Sequence, residues 1–307
     1  MIKTKNLDEL LDKKRVRELL IKYQTQCQLS QNIVIKNIFR TMVLSPNTYA
    51  ILLEIENNNL LRKIRINASN EETRERAYHV MKYLQPEFSG PKYFIPKIFF
   101  YDADYNLVAY ENIEGPILIK QLADQEIQEK IILVSEWLEK LHSIPLPKIK
   151  LPKHEIFFNY EALKKYYPDL SKDAPKIIEN LRNKLEKFSS KLIHGDYQPN
   201  NIIVNQNQIT LFDFIDSHID DPALDLAKFL SQLKVMLFRF ADPGNYQELE
   251  KTFLENYQLD YCRSNFRIYY KIYLLQILCT LSASLTKDPE ADTTLPEIKK
   301  YYEEANV

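Results

Sequence analysis

The most informative segment of this chain reads LIHGDYQPNNIIV, from Leu192 to Val204. Its loop carries Asp196, and Asn201 follows five residues later, directly before an apolar run that predicts a strand. A second apolar run ends in Asp213, beyond a polar turn at residues 205–208. The segment therefore offers a carboxylate and an amide in one loop, with a second carboxylate after a hairpin.

These side chains suit phosphoryl transfer, in which positioning and charge neutralisation matter more than covalent help from the protein. Asp196 is a candidate base that orients and deprotonates an attacking hydroxyl, while oxygen ligands such as Asn201 and Asp213 suit Mg²⁺. A later segment, DDPALDLA at residues 220–227, has the form of a helix start. Each part alone is common, and a lone histidine such as His194 is more often structural, so the interpretation depends on the ordered set.

The ordered set H-G-D-x-x-x-x-N, an Asp between apolar residues, and D-P-x-x-D-L-A resembles the aminoglycoside phosphotransferase and choline kinase superfamily, over about residues 33–230. The resemblance implies an α+β, two-lobed protein-kinase-like fold. It implies an enzyme that uses ATP and Mg²⁺ to phosphorylate a hydroxyl of a small molecule. In that enzyme Asp196 would be the catalytic base, and Asn201 and Asp213 would be the Mg²⁺ ligands.

The resemblance also assigns supporting roles in the same segment. His194 and Asp225 would brace the catalytic loop. Gln198 stands two residues after the predicted base, where family members often carry histidine. An amide can donate to a phosphate oxygen but brings no charge, so slower turnover or an altered substrate preference would follow.

Hydrophobic periodicity predicts a strand-rich first part and a helical second part. Residues 1–112 are predicted to form a nucleotide-binding lobe, and residues 113–307 a helical lobe with the catalytic loop and the acceptor pocket. A capping box of Ser69 and Glu72 predicts a helix that runs through Leu84. The other predicted helices lie at about 6–28, 123–143, 160–188, 222–240, 246–258 and 262–286, and five strands at about 33–44, 49–56, 60–66, 97–101 and 107–111.

Nucleotide contacts are predicted in the first lobe. A kinase needs a cation on the third strand that is held by a glutamate of the next helix. Lys63 and Glu75 are the predicted pair, with Arg65 as the alternative cation and Glu72 as the alternative acid.

Two backbone segments complete the predicted nucleotide site. The turn that contains Ser45, Asn47 and Thr48 resembles the phosphate-covering loop of the family, although it has no glycine and could be a plain hairpin turn. Glu111 and Ile113 resemble the segment between the lobes, whose backbone would contact adenine.

The acceptor itself stays open at this level. Aromatic residues near 157–170 and 233–275 could form a cation-binding box, but packing is the better supported interpretation of these side chains. Two other functions remain: a nucleotide-binding pseudokinase or regulatory module with little transfer activity, and a protein kinase. The absence of A-P-E and H-R-D motifs argues against the second of these.

Bulk properties add a few expectations. The net charge of −1 gives no general attraction for nucleic acid or for a membrane surface, so neither is an expected partner. Three scattered cysteines favour a reducing compartment over a disulfide framework or zinc site. The charged N-terminus does not have the form of a signal peptide, and a cytoplasmic location is expected.

Overall fold

The computed structural model describes residues 4–45, 47–71, 73–149, 151, 156–284 and 291–305. The chain divides into two compact units. Unit 1 comprises Met1–Gly115 and Thr210–Ile215, and unit 2 comprises Pro116–Ile209 and Asp216–Val307. The predicted α+β class is confirmed, because a five-stranded antiparallel sheet comes first and most helices follow it.

The sheet of unit 1 has the order β1-β2-β3-β6-β5, and every neighbouring pair is antiparallel. Asn58 and Asn59, both with positive φ (53° and 62°), form the tight turn between β2 and β3. Residues of β2 alternate between buried and half-buried positions, because successive side chains of a strand point to opposite faces and one face of β2 is covered more completely than the other. The strands are β1 (Ile33–Ser45), β2 (Thr48–Asn57), β3 (Leu60–Ser69), β4 (Tyr93–Phe94), β5 (Ile98–Asp102) and β6 (Leu107–Glu111).

The covered face of the sheet packs on the N-terminal segment. Buried side chains of a 3₁₀ helix (Leu7–Leu11) and of α1 (Lys13–Lys22) join those of β2 and β3 in one apolar cluster. The single helix predicted at 6–28 is wrong, because Asp12 is extended (φ −89°, ψ 121°) and separates the two helices. The Asp12 side chain accepts a hydrogen bond from the Arg15 N–H and so caps α1.

The helix after β3 starts later than its predicted capping box. Ser69 is the last residue of β3, where it pairs with Thr48, and helix α2 spans Glu75–Leu84. The Ser69 hydroxyl accepts from the Glu71 N–H at 3.1 Å, which is a turn contact after a strand, and Glu72 lies outside the described residues. The predicted helix start at Ser69 is therefore wrong, since pairing in the sheet extends the backbone there.

Unit 2 contains the remaining helices and most of the remaining strands. The helices are α3 (Ile127–Ser143), α4 (Tyr160–Lys164), α5 (Pro168–Arg182), α6 (Ala223–Phe240), α7 (Tyr246–Asn256), α8 (Arg263–Ser284) and α9 (Ala291–Glu304). The strands are β7 (Lys191–Ile193), β8 (Ile202–Asn205), β9 (Gln208–Leu211, whose last two residues belong to unit 1) and β10 (His218–Asp220). Short 3₁₀ helices cover Leu118–Gln121, Pro199–Asn201 and Pro243–Asn245.

Two helical predictions for this unit need correction. The helix predicted at 160–188 is two helices, because the residue before a proline is disfavoured in the α conformation and Tyr167 (φ −139°, ψ 71°) precedes Pro168. Helix α9 was not predicted. Its buried residues Leu295, Ile298 and Tyr302 pack in the same apolar cluster as α8. Among the helices within the described ranges, none has the length and apolar character of a transmembrane span.

Candidate active site

The loop that carries Asp196 follows β7 directly and includes a glycine with little freedom to change. β7 pairs with β10 through Ile193 and His218, so the strand fixes where the loop begins. Gly195 has a φ of +81°, and a Cβ added there would lie 2.2 Å from the backbone oxygen of Asp216. Any other residue would be strained at this φ and would have no room for its Cβ, so the position requires glycine.

Asp225, in the first turn of α6, holds the backbone of this loop. Its buried carboxylate accepts hydrogen bonds from the backbone N–H of His194 at 2.6 Å and of Gly195 at 2.8 Å. His142 Nε2 lies 3.2 Å from the same carboxylate, and His142 Nδ1 lies 2.8 Å from the Tyr257 hydroxyl. Buried hydrogen bonds therefore join Tyr257, which follows α7, to His142 of α3, then to Asp225 of α6, and from there to the loop.

The balance of forces on Asp225 favours its ionised form. Burial by itself raises the pKa of a carboxyl group because it penalises the charge. Hydrogen bonding and charge from His142, the charge of His194 and the bond from the His194 N–H outweigh burial and hold the pKa of Asp225 below its usual value. The carboxylate thus braces the loop as an anion.

The side chain of Asp196 is held through one of its two carboxylate oxygens. Oδ2 accepts hydrogen bonds from Gln198 Nε2 at 2.7 Å and from Asn201 Nδ2 at 2.8 Å. Asn201 Nδ2 also donates to the backbone oxygen of Asp196 at 3.0 Å, and the Asp196 N–H lies 3.2 Å from His194 Nδ1. Four residues of the predicted set are therefore brought together within unit 2: His194, Asp196, Gln198 and Asn201.

Lys228 is the functional candidate that sequence reasoning missed. Its Nζ lies 3.3 Å from Asp196 Oδ1. Although burial raises the pKa of Asp196, the nearby Lys228 and His194 charges and the bonds from Gln198 and Asn201 hold it below its usual value. A signal for Lys228 was present in the sequence, because a lysine in the apolar run Leu226-Ala227-Lys228-Phe229-Leu230 needs a partner when the helix is buried.

An aromatic anchor fixes the rest of the loop. Tyr197 is fully buried, and its hydroxyl donates to the Val134 carbonyl at 2.6 Å. Its ring stacks on Trp137 at a centroid distance of 6.0 Å and lies 5.5 Å from the ring of Phe229. Asp196 and Gln198 consequently flank a side chain that is packed into the core between α3 and α6.

In unit 1 the predicted pair of Lys63 and Glu75 is not formed. Lys63 Nζ lies 2.6 Å from Glu114 Oε1 and 3.9 Å from Glu54 Oε1, while Glu75 Oε1 lies 3.7 Å from His79 Nε2. The physical reason is register, because β2 and β3 pair Lys63 with Glu54, whereas Glu75 is an exposed residue at the start of α2. Lys63 is half-buried, and its ammonium lies beside the acids Glu54 and Glu114.

Arg65, the alternative cation, donates hydrogen bonds to neutral side chains, whereas Lys63 lies beside acids. Its guanidinium donates to Thr41 Oγ1 at 2.8 Å and to Asn112 Oδ1 at 3.2 Å. Arg65 pairs with Tyr110 across β3 and β6. Burial raises the pKa of Tyr110, the charge of Asp213 raises it further, and the charges of Arg65 and Arg74 oppose that rise. Tyr110 therefore lies within electrostatic range of both Asp213 and Arg65.

Asp213 follows β9 and has a left-handed backbone, with a φ of +68°. Asparagine and aspartate tolerate this region better than most residues, yet it still costs about 1–2 kcal/mol relative to the usual conformations. Such strain is often found at functional sites. The residue that the sequence motif identified, Asp213, therefore has an unusual backbone conformation.

The predicted phosphate-covering turn contacts the end of β3. Asn47 Nδ2 donates to Glu71 Oε1 at 3.0 Å, and the Thr48 and Ser69 hydroxyls lie 3.3 Å apart. The side chain of Ser45 lies outside the described residues.

The segment predicted to contact adenine continues from β6. Glu111 ends the strand with its N–H donating to the Lys97 carbonyl at 2.9 Å, and the half-buried Ile113 follows. Glu111, Asn112 and Lys63 line a pocket of about 440 Å³ in unit 1.

Aromatic residues of the second unit are mainly packed. Tyr269 and Tyr273 are buried in the core cluster, and Tyr270 packs against it. Phe158 and Tyr160 stack with nearly parallel rings at 5.4 Å, whereas Phe157 is 78% exposed. Packing explains most of these side chains without a ligand.

A family model identifies the chain. The model of the phosphotransferase enzyme family, APH, matches residues 45–268, which is more than half of the chain. The chain belongs to this family, as its sequence motifs predicted. A comparison with curated protein sequences returned no match.

Solved structures share the fold. Spectinomycin phosphotransferase APH(9)-Ia, in complex with ADP and spectinomycin, has a TM-score of 0.65 at 13% identity, covering 95% of this chain and 98% of that chain. Choline kinase LicA from Streptococcus pneumoniae has a TM-score of 0.60 at 17% identity, covering 93% and 98%. An ethanolamine kinase from Plasmodium vivax has a TM-score of 0.63 at 16% identity, covering 96% and 97%. The predicted superfamily and fold are confirmed.

Proposed function

We propose that the chain is a small-molecule kinase that transfers the γ-phosphate of ATP to a hydroxyl group in a Mg²⁺-dependent reaction. The observation that carries the proposal is the position of the Asp196 carboxylate, which accepts hydrogen bonds from Gln198 and Asn201. The backbone of the same loop donates to the carboxylate of Asp225. A kinase of this class needs such a positioned carboxylate to receive the hydroxyl. Family membership supports the proposal, as do relatives named for spectinomycin, choline and ethanolamine, which are small molecules.

In the proposed reaction, Asp196 accepts a hydrogen bond from the acceptor hydroxyl, orients it and takes its proton. Because Oδ2 already accepts two amide hydrogen bonds, Oδ1 is the oxygen that meets the hydroxyl. The low pKa of Asp196 keeps it ionised near neutral pH. Asp225 maintains this geometry by fixing the preceding two backbone N–H groups.

Asn201 and Asp213 fit the proposed Mg²⁺ by the chemistry of their donor atoms. Both hydrogen bonds from Asn201 to Asp196 use the amide nitrogen, which leaves the amide oxygen to serve as a ligand. A carboxylate and an amide oxygen are hard donors, and Mg²⁺ commonly takes one or two protein ligands beside substrate phosphates. When bound, the ion would neutralise charge on the phosphates.

We further propose that unit 1 binds the nucleotide. Arg65, rather than Lys63, is the proposed phosphate-binding cation, because Lys63 is paired with Glu114, whereas Arg65 donates to the neutral side chains of Thr41 and Asn112. The backbone of Glu111 and Ile113 is proposed to contact adenine. The turn at Ser45, Asn47 and Thr48 is proposed to cover the phosphates through its backbone N–H groups.

A nucleotide-binding module with little transfer activity is the second candidate. The observation that favours it is Gln198, whose uncharged amide donates to Asp196 rather than presenting a cation to the phosphate. The two candidates differ in one measurable property, the release of ADP when a hydroxyl acceptor is added.

The test combines nucleotide binding with an ADP-release screen against alcohols of different classes. Wild-type protein is expected to bind Mg-ATP and to release ADP with at least one acceptor. Asp196→Asn should abolish transfer while nucleotide affinity stays within about threefold, because the carboxylate acts on the hydroxyl. Asp173→Asn, at an exposed position of α5, is the matched control that keeps full activity.

A second variant tests the metal. Asp213→Ala should weaken Mg²⁺-dependent nucleotide binding, and an unchanged Mg²⁺ titration would remove its role as a ligand. Normal transfer by Asp196→Asn would rule out the proposed base. Tight Mg-ATP binding without ADP release across the whole acceptor screen would favour the regulatory module.

A further inference from the structure

The ammonium group of Lys228 lies beside the oxygen of Asp196 that is available to an acceptor. Lys228 is in α6, one turn after Asp225, and its side chain is only 10% exposed. Asp196 Oδ1, 3.3 Å from Lys228 Nζ, is not the oxygen that binds Gln198 and Asn201. A hydroxyl hydrogen bond spans about 2.7 Å, so a hydroxyl on Oδ1 would stand within about 6 Å of the ammonium.

Contacts from α8 hold Lys228 in this place. Its Nζ lies 5.0 Å from the centroid of the Tyr273 ring and 3.4 Å from Gln276 Oε1. Gln276 Nε2 in turn donates to the carbonyl of Phe157 at 3.4 Å. Because Asp196 on one side and Tyr273 and Gln276 of α8 on the other contact this side chain, the ammonium group is held beside Asp196.

The fixed charge decides which acceptors fit. Asp196 is 22% exposed, so a ligand can reach it, and a ligand that places a cation next to its hydroxyl would bring two positive charges together. In a half-buried site, like charges a few ångströms apart oppose each other strongly enough to change binding by about tenfold or more.

We propose that Lys228 is a specificity-determining residue, and that the acceptor is a hydroxyl compound with no cationic group next to the reacting hydroxyl, such as a neutral alcohol or a hydroxy acid. This inference rests on the proposed kinase function. It distinguishes the chain from structural relatives named as choline and ethanolamine kinases, whose named acceptors are cations.

The test uses acceptors that have the same shape but different charge. Choline is compared with its neutral isostere 3,3-dimethylbutan-1-ol, and ethanolamine with 1-propanol and 3-hydroxypropanoate. For each acceptor kcat/KM is measured by ADP release with Mg-ATP. The ratio of neutral to cationic acceptor is the readout, because both use the same Asp196 and any general damage to the site cancels.

We expect wild-type protein to prefer the neutral or anionic member of each set by at least about tenfold, equivalent to about 1.4 kcal/mol. Lys228→Met should reduce that preference by about tenfold, and Lys228→Arg should keep it because it retains the charge. Lys234→Met is the matched control on the same helix, since Lys234 Nζ lies over the ring of Tyr301 at 4.1 Å, and it should leave the ratio unchanged.

The outcomes separate this inference from the proposed function. Transfer with a preference for choline or ethanolamine, or a charge preference that Lys228→Met leaves intact, overturns the role of Lys228 while the kinase function stands. Absence of transfer to every acceptor, both in this set and in the wider alcohol screen, counts against the kinase function and removes the inference with it. If Lys228→Met does not fold, the acceptor preference of the wild-type protein and the neutral-to-cationic ratio of kcat/KM for Lys228→Arg still test the inference.

Discussion

The buried carboxylate of Asp225 offers a direct test of how the candidate catalytic loop is held. Asp225→Asn keeps the size and shape of the side chain but removes its charge and one of its two acceptor atoms. In the structure those two oxygens serve the N–H groups of His194 and Gly195. With an asparagine, one of these buried N–H groups must face an amide NH₂.

The expected cost follows from these contacts. A hydrogen bond to a charged group contributes about 1.5–3 kcal/mol, and leaving a buried donor unsatisfied costs about 1–3 kcal/mol. Together they predict a loss of about 2.5–6 kcal/mol, which spans the cost of about 3–5 kcal/mol for breaking a buried ion pair from one side. Small domains are stable by only about 5–15 kcal/mol, so this loss is a large share of the total.

Urea unfolding at neutral pH measures the loss, with Asp173→Asn as an exposed control that should change stability by no more than about 0.5 kcal/mol. The pH dependence gives a second check. The pKa of Asp225 is lowered in the folded state, so its stabilisation is complete above the unfolded value of about 4 and declines as pH falls below it. Asp225→Asn should lack this part of the acid dependence. If Asp225→Asn unfolds at the same urea concentration as Asp173→Asn, the bracing role is wrong.

Two further predictions concern the loop and the nucleotide side. Gly195→Ala should destabilise the protein by at least about 2 kcal/mol, because the new Cβ meets Asp216 at a positive φ. Gly90→Ala is its control, since a Cβ at Gly90 has no atom within 4 Å, and an equal effect of both changes in thermal unfolding would contradict the prediction. Arg65→Met should raise the Kd for Mg-ADP by at least about tenfold, while Lys63→Met changes it by less than about threefold, because charge-assisted contacts to phosphate are strong and Lys63 is already paired. Calorimetry that shows the larger loss for Lys63→Met would restore the original choice of cation.

Local sequence was sufficient for much of the fold. The apolar runs predicted as strands at about 49–56 and 60–66 form the hairpin of β2 and β3, because period-2 patterns act over a few neighbours. The prediction was wrong where a longer-range interaction prevailed. Ser69 has the sequence features of a helix cap, yet pairing with Thr48 keeps it in β3.

The candidate site shows the same division. The order of His194, Asp196 and Asn201 could be interpreted from the chain alone, since the hydrogen bonds among them span only a few residues. Lys63 was matched with the wrong acid, because strand register and not spacing decided its neighbours.

By itself, the sequence determined the class of the protein, the α+β order of its elements and the identity of the loop residues, because motif spacing and hydrophobic period are local properties. Only the tertiary structure showed that Lys228 reaches Asp196, and that His142 and Tyr257 stand behind Asp225. These contacts join residues that are far apart in the chain. They depend on how helices pack and on which face each side chain occupies, and no stretch of sequence encodes that on its own.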